Sequence, residues 1–303
     1  MRNNCFALIV IGLFLLIACG NKPNPEVAIA TCDAIPKDAI PFEYNRGKTI
    51  ILQGMLNDSI PLKLLFDTGG GSWINLTDRL KGKFGLNKSG FISKLAIGKY
   101  TKYIPIDFNL GKVLSAKVDP NYAIINWKYF DNEIIKISFQ HKYIQVLENN
   151  VNTTGYDSIK MKLIQSRQLI IPTEIHLQGK VINEDLWFDT GCNVPIFIHN
   201  DFVTKYALNI DSAEHSPGIT HAGNAGFSWV KADSARVGNH FAPIYTLVYG
   251  EVFKSENYSG LIGNAFFENF DIILDFKNFV LYLKPINDEK NSSESSGQRS
   301  ELI

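Results

Sequence analysis

Two copies of one tetrapeptide, Phe66-Asp67-Thr68-Gly69 and Phe188-Asp189-Thr190-Gly191, are the residues of this chain best suited to chemistry. Each ends an apolar run and heads a similar downstream stretch. An amide carbon is a poor electrophile and water a poor nucleophile, so cutting a peptide bond needs one group that takes a proton from water and another that gives one to the carbonyl oxygen. Two facing carboxyls do both, because like charges a few ångströms apart cannot both ionise cheaply and the pair keeps one proton. Asp67 and Asp189 are therefore the candidate catalytic residues, and the sequence leaves open which of them holds the proton. One Asp-Thr-Gly is an ordinary turn sequence. Two in matching context point to a site.

The elements that must position them form an internal repeat. The aspartates lie 189 − 67 = 122 apart, and at that offset Phe84-Gly85-Leu86-Asn87 matches Tyr206-Ala207-Leu208-Asn209. Upstream, Leu52-Gln53-Gly54 recurs as Leu177-Gln178-Gly179, which implies a hairpin turn three residues longer in the first copy (67 − 54 = 13 against 189 − 179 = 10). Downstream, Asn126 to Phe139 matches Gly263 to Phe276 at an offset of 137, so the second copy carries 137 − 122 = 15 extra residues in between. Segments such as Thr49 to Leu56, Lys63 to Phe66, Ile134 to Val146 and Ile272 to Leu283 are rich in β-branched and aromatic residues and are bounded by turn formers, which predicts strands. Short helices are expected at Thr77 to Phe84, Asn200 to Tyr206 and Ala265 to Phe270. Trp127, Tyr129, Phe130, Phe266 and Phe267 fall at core positions of the repeat.

These residues resemble the retropepsin-like aspartic peptidases, here as one chain with two fused lobes, over roughly residues 40 to 285. Gly260-Leu261-Ile262-Gly263-Asn264 looks like that family's second motif, two apolar residues and a glycine on a strand that threads behind the catalytic loop. The first-lobe counterpart, Ile124-Ile125-Asn126, keeps the apolar pair but has Asn for Gly. The resemblance implies an all-β fold of two retropepsin-like β-barrel lobes related by an internal pseudo-twofold, with few short helices. Its boundaries are 38–150 for the N-terminal lobe and 151–286 for the C-terminal lobe. It also implies a tetrahedral gem-diol as intermediate, with no metal, cofactor or acyl-enzyme.

The dyad's neighbours take roles from the same likeness. Thr68 and Thr190 would each hydrogen-bond the opposite loop, while Gly69 and Gly191 allow the tight turn and leave N–H groups near the carboxylates. The next position, Ser or Thr in pepsin-like enzymes, is Gly70 in one copy and Cys192 in the other, so a hydroxyl donor is missing. The glycine-rich stretch His221 to Gly226, with Gly223, Asn224 and Gly226, resembles the tip of a mobile flap flanked by Phe227 and Trp229. Its first-lobe equivalent would be around Ala96 to Tyr103.

Composition bounds the rest. The 303 residues, 45% hydrophobic, suffice for a real core. Lys+Arg and Asp+Glu are both 30, so no basic footprint for nucleic acid exists. Residues 1–18 form a signal peptide with Arg2 and the apolar stretch Phe6 to Ala18, too short to span a membrane. Leu16-Ile17-Ala18-Cys19-Gly20 resembles the bacterial lipobox, which makes Cys19 the expected lipidation site, with 19–37 as a tether and the bacterial envelope as location. The tail 287–303 reads as disordered. Cys32 and Cys192 remain, with no metal-site spacing, and the six histidines show none either. The sequence thus predicts a monomeric, membrane-anchored aspartic endopeptidase acting on peptide or protein substrates. Gly70, Gly71 and Asn126 keep open a catalytically silent peptide binder, and a non-enzymatic envelope lipoprotein is the third reading.

Overall fold

The structure is a computed structural model that describes residues 35–286 except 45–46, 83–88, 109, 111–117, 221–222, 245 and 251–255, with the backbone alone for 216 and 218–225. The expected signal peptide, Cys19, all but the end of the tether, Cys32 and the tail 287–303 lie outside the described residues.

The first lobe holds β1 (Ile40–Tyr44), β2 (Ile50–Leu56), β3 (Ile60–Phe66), β4 (Ile74–Leu76), β5 (Phe91–Ile97), β6 (Tyr100–Asp107), β7 (Tyr122–Ile125), β8 (Ile134–Ser138) and β9 (Tyr143–Leu147). The second holds β10 (Asp157–Lys160), β11 (Lys162–Ile164), β12 (Gln168–Leu177), β13 (Lys180–Asp189), β14 (Ile196–His199), β15 (Glu214–Thr220), β16 (Gly223–Lys231), β17 (Ser234–Val237), β18 (His240–Pro243), β19 (Thr246–Gly250), β20 (Gly260–Gly263), β21 (Phe270–Asp275) and β22 (Val280–Pro285). Only two short α-helices, α1 (Asn200–Lys205) and α2 (Asn264–Phe267), occur among the described residues. The fold is all-β with two lobes.

Side-chain alternation explains why. In β3 the residues Ile60, Leu62 and Leu64 are buried while Pro61 and Lys63 face out, a period of two that only a strand satisfies. Strands β2-β3-β7-β4-β6-β5 run in sequence around a barrel that a β2–β5 pairing closes. In the second lobe the order β15-β16-β19-β14-β20-β13-β12-β17-β18 shows no closing pair among the described residues, so this lobe is a half-barrel.

A third layer joins the halves, in the order β10-β22-β21-β8-β9-β1. Strands β8 and β21 pair antiparallel, with Lys136 opposite Ile273, Ile135 opposite Leu274 and Ile137 opposite Ile272. Since 273 − 136 = 137 is the repeat offset, Lys136 faces its own counterpart and the internal twofold passes between them. The core repeats likewise: Phe66 meets Phe130 edge-on at 5.7 Å, and their counterparts Phe188 and Phe267 do so at 4.7 Å. Such pairs contribute roughly 0.5–1.5 kcal/mol beyond burial. They sit directly before each Asp-Thr-Gly loop.

Several sequence expectations need correction. The Leu-Gln-Gly recurrence does not align in space: Gly54 lies inside β2 against Leu64, whereas Gly179 is in the β12–β13 turn at φ +71. The turns themselves are Asn57-Asp58-Ser59 and Gln178-Gly179, with left-handed Asn57, Asp58 and Gln178, so they differ by one residue. Of the stretch 77–84, the described residues 77–82 make a 3-10 turn at Asp78–Leu80, and a further 3-10 turn at Trp127–Phe130 occupies the place of α2 in the first lobe. The extra residues of the second copy are the β15–β16 hairpin. Ala96 to Tyr103 is not its counterpart, because the β5–β6 turn at Gly98 corresponds to the β17–β18 turn at Gly238, both at positive φ.

A Cβ on Gly263 would lie 2.3 Å from the Cys192 carbonyl oxygen and 2.5 Å from that of Val194, whereas one on Gly226 meets nothing within 4 Å. Chemical unfolding is therefore expected to show Gly263→Ala destabilised by about 3 kcal/mol or more and Gly226→Ala changed by less than about 0.5 kcal/mol.

Candidate active site

Each aspartate is delivered by the same construction. Strand β3 runs parallel to β7, with Phe66 opposite Ile125, and Asp67 N donates to the Ile125 carbonyl at 2.9 Å. Strand β13 runs parallel to β20, which sets Asp189 opposite Gly263. The threading strand is tied to the loop in both halves: Asn126 N donates to Trp73 O, and its counterpart Gly263 N donates to Pro195 O, each at 3.0 Å. Each loop closes on itself through Gly70 N to Asp67 O and Cys192 N to Asp189 O, both at 3.2 Å.

The threonines cross-link the loops. Thr68 N donates to Thr190 Oγ1 and Thr190 N to Thr68 Oγ1, both at 3.0 Å, while Thr68 Oγ1 donates to Phe188 O at 2.7 Å and Thr190 Oγ1 to Phe66 O at 2.8 Å. All four bonds are buried, and each would leave an unpaired group if broken. Gly69 N and Gly191 N donate to the near carboxylates, Asp67 Oδ1 at 2.7 Å and Asp189 Oδ1 at 2.8 Å. Both glycines are needed for close approach, since a Cβ on Gly69 would lie 2.5 Å from Asp189 Cγ and one on Gly191 2.5 Å from Asp67 Cγ.

The two carboxyls thus face each other across the paired loops and interact. Burial is the main force raising both above the ordinary 3.8, and for Asp67 the Asp189 charge adds to it. Backbone N–H groups, from Gly69 and Gly70 on one side and Gly191, Cys192 and Gly69 on the other, oppose the rise. The pair holds one proton between its members. Neither residue after the glycine adds a side-chain donor: Gly70 has no side chain, and the Cys192 thiol, unbridged and pushed well up by burial, turns to Val194 O at 3.8 Å.

Asn126 takes a part its sequence did not suggest. Its fully buried amide donates to Gly70 O at 2.6 Å, and its Oδ1 accepts from Lys128 N at 3.0 Å. In the other lobe Asn264, one position later in the repeat, donates to Thr190 O at 2.6 Å and to Lys48 O at 2.9 Å. Both loops hang from an asparagine amide. The two asparagines stand at offset positions, so aligning the motifs hides the equivalence.

A cavity of about 400 Å³ opens over the dyad, lined by Asp67, Asp189, Gly69 to Ser72, Asn75, Leu110, Ile124, Arg167, Gln168, Trp187 and Tyr258. Of these, Arg167, Gln168, Trp187 and Tyr258 were not legible as site residues. Trp187 precedes Phe188-Asp189 and so was within reach of the motif, whereas the others carry no local signal. Gly223, Asn224 and Gly226 sit on β16, with Gly223 pairing Thr220 at the head of the hairpin, and none lines the cavity among the described residues. The tip, 221–222, lies outside them. The base of the hairpin is anchored, because Phe227 packs edge-on against Phe197 at 5.5 Å in the apolar cluster that also contains Trp187 and Tyr258. A larger cleft of about 730 Å³ on the second lobe is lined by paired charges such as Glu174 with Arg236 and Glu184 with Lys205.

No family model matches the chain, and no curated protein does. Among solved structures, the aspartic proteinase from Irpex lacteus is similar over 84% of this chain and 99% of its own, with a TM-score of 0.50 at 13% sequence identity. That likeness establishes the architecture: the chain has an aspartic-proteinase-like fold of two lobes.

Two outcomes are expected. Thr190→Val deletes the bond to Phe66 O and the acceptor of Thr68 N, leaving two buried groups unpaired, so denaturant titration should show a loss of roughly 2–6 kcal/mol. Because both carboxyls titrate above 3.8, the folded chain keeps protons that the unfolded chain has released, and stability falls as pH rises above that value. Relative to an Asp67→Asn, Asp189→Asn double variant, the wild-type Tm should therefore drop as the pH rises above about 4. A constant difference would mean that the carboxyls are not raised.

Proposed function

We propose that the protein is an aspartic endopeptidase of the bacterial envelope, released from its signal peptide at Cys19 and held to a membrane by acyl chains on that residue. The observation that carries the hydrolytic reading is the pair of buried carboxyls, Asp67 and Asp189, facing each other at the floor of an open cavity. With one proton on the pair, the charged member takes a proton from a bound water as that water attacks the peptide carbonyl carbon. The protonated member gives its own to the carbonyl oxygen. The resulting gem-diol collapses as the leaving nitrogen is protonated, and the pair returns to its starting charge. The N–H groups of Gly69 and Gly191 hold the carboxylates in orientation throughout.

In this reading the β15–β16 hairpin is the lid. Its apolar base is fixed to the cluster behind the cavity wall. The first lobe offers only residues 81–90 between its 3-10 turn and β5, ten residues against the eighteen of 214–231, so the cover comes from the second lobe. Asn126 supports the Gly70 carbonyl, which favours a working loop over a silent peptide binder. The membrane anchor is supported by the lipobox-like sequence ahead of Cys19, since several acyl chains at about 0.8 kcal/mol per buried methylene hold a domain stably.

The decisive experiment is cleavage of a peptide library by the wild type beside Asp67→Asn and Asp189→Asn, with folding verified. Both variants are expected to lose activity, and survival of either would overturn the dyad. Lacking a side-chain hydroxyl next to either carboxyl, the enzyme should work best nearer neutral than pepsin-like dyads do. A rate maximum below about pH 4 would contradict that.

A further inference from the structure

We propose that Arg167 forms a carboxylate-binding subsite of the cavity, so that preferred peptides carry an acidic side chain or a free C-terminus close to the bond that is cut. The inference rests on the peptidase reading and adds the substrate's chemistry to it.

Arg167 is the last residue of the tight turn that follows left-handed Gln165 and Ser166, directly before β12. Its main chain is fixed from both lobes: its N–H donates to Ile164 O at 3.1 Å, and its carbonyl accepts from Trp127 Nε1 at 2.9 Å. Trp127 is itself stacked on Phe276 at 5.1 Å. The side chain, half-buried, then reaches into the dyad cavity.

Three observations say that the guanidinium awaits an anion from outside. Among the described residues, Arg79 and Arg236 find acceptors in Val118 O and Glu174, whereas the Arg167 guanidinium has none. The carboxylates lining the cavity are Asp67 and Asp189, and no ion pair joins Arg167 to either. Gly71, finally, borders the guanidinium. Its φ is not in the left-handed range, but a Cβ there would lie 3.2 Å from Arg167 Nη1 and press on the fork. A half-desolvated guanidinium presents paired donors whose geometry matches a carboxylate, and a ligand carboxylate restores what burial removed.

The wall beside it is also polar and held in place. Gln168 Nε2 donates to Tyr258 Oη at 3.2 Å, and Tyr258 packs on Trp187 at 5.4 Å. Gln168 and Trp187 both line the cavity beside Arg167.

The test gives purified full-length protein two sets of matched peptides. One set exchanges Glu for Gln at each position around the cut bond, and the other exchanges a free for an amidated C-terminus, which separates a side-chain carboxylate from a terminal one. The wild type should favour the acid member by about tenfold or more in kcat/KM in one of the sets. In Arg167→Gln that ratio should fall to near one, and Arg167→Glu should favour Lys-bearing peptides. Arg167→Lys, which keeps charge without the fork, should retain part of it, and melting temperatures check that each variant folds. Binding of the same pairs to the Asp189→Asn protein, followed by calorimetry, separates the two proposals. Cleavage without acid preference, or a ratio that survives in Arg167→Gln, overturns the subsite and leaves the peptidase reading standing. Acid-selective binding with no cleavage by the wild type keeps the subsite and removes the peptidase. Neither binding nor cleavage overturns both.

Discussion

Two carboxyl groups held against each other out of water form the least comfortable arrangement in this molecule, and the rest of the fold is organised around making it persist. Burial and mutual repulsion both oppose the charged pair, and among the described residues no ion pair relieves them. What holds the arrangement is geometry. Each aspartate ends a strand pinned by a parallel neighbour, each loop is sewn to the other by threonine hydrogen bonds, and aromatic pairs directly behind keep the strands from retreating. Glycine at three crossings removes the Cβ atoms that would force the loops apart.

How much of this the amino-acid sequence disclosed depends on whether the determinant was local. The Asp-Thr-Gly loops, the apolar-apolar-Gly strand and the strand content were legible because turn chemistry and alternation are written over a few consecutive residues. The same pattern implied two lobes and a twofold between them. What escaped depended on contacts between distant segments. Leu52-Gln53-Gly54 and Leu177-Gln178-Gly179 look alike yet occupy a strand interior and a turn, since three-residue likeness carries little positional information. Asn126 looked like a defect because its residue type departs from glycine. Only the position of the Gly70 carbonyl shows that the amide fills a role Asn264 performs in the other half. Arg167 and Tyr258 reach the cavity from segments without a motif.

The halves are alike where they build the dyad and unlike where they surround it. The first lobe closes into a barrel and uses a glycine pair, Gly70 and Gly71, at the cavity. The second stays open, carries the additional β15–β16 hairpin and supplies Arg167, Gln168, Trp187 and Tyr258. A symmetric catalytic centre therefore sits in an asymmetric cleft. An extended ligand lying across such a cleft would meet different walls according to its direction.

The pairing of Lys136 with Ile273 bears on descent. A strand edge that recognises its own duplicate is equally suited to a second copy of the same chain, so an ancestral single lobe needed no new surface to associate in pairs. Linking two such lobes in one polypeptide makes their meeting independent of dilution. It also frees the halves from identity, so that one side of the axis can carry an arginine and a hairpin that the other lacks.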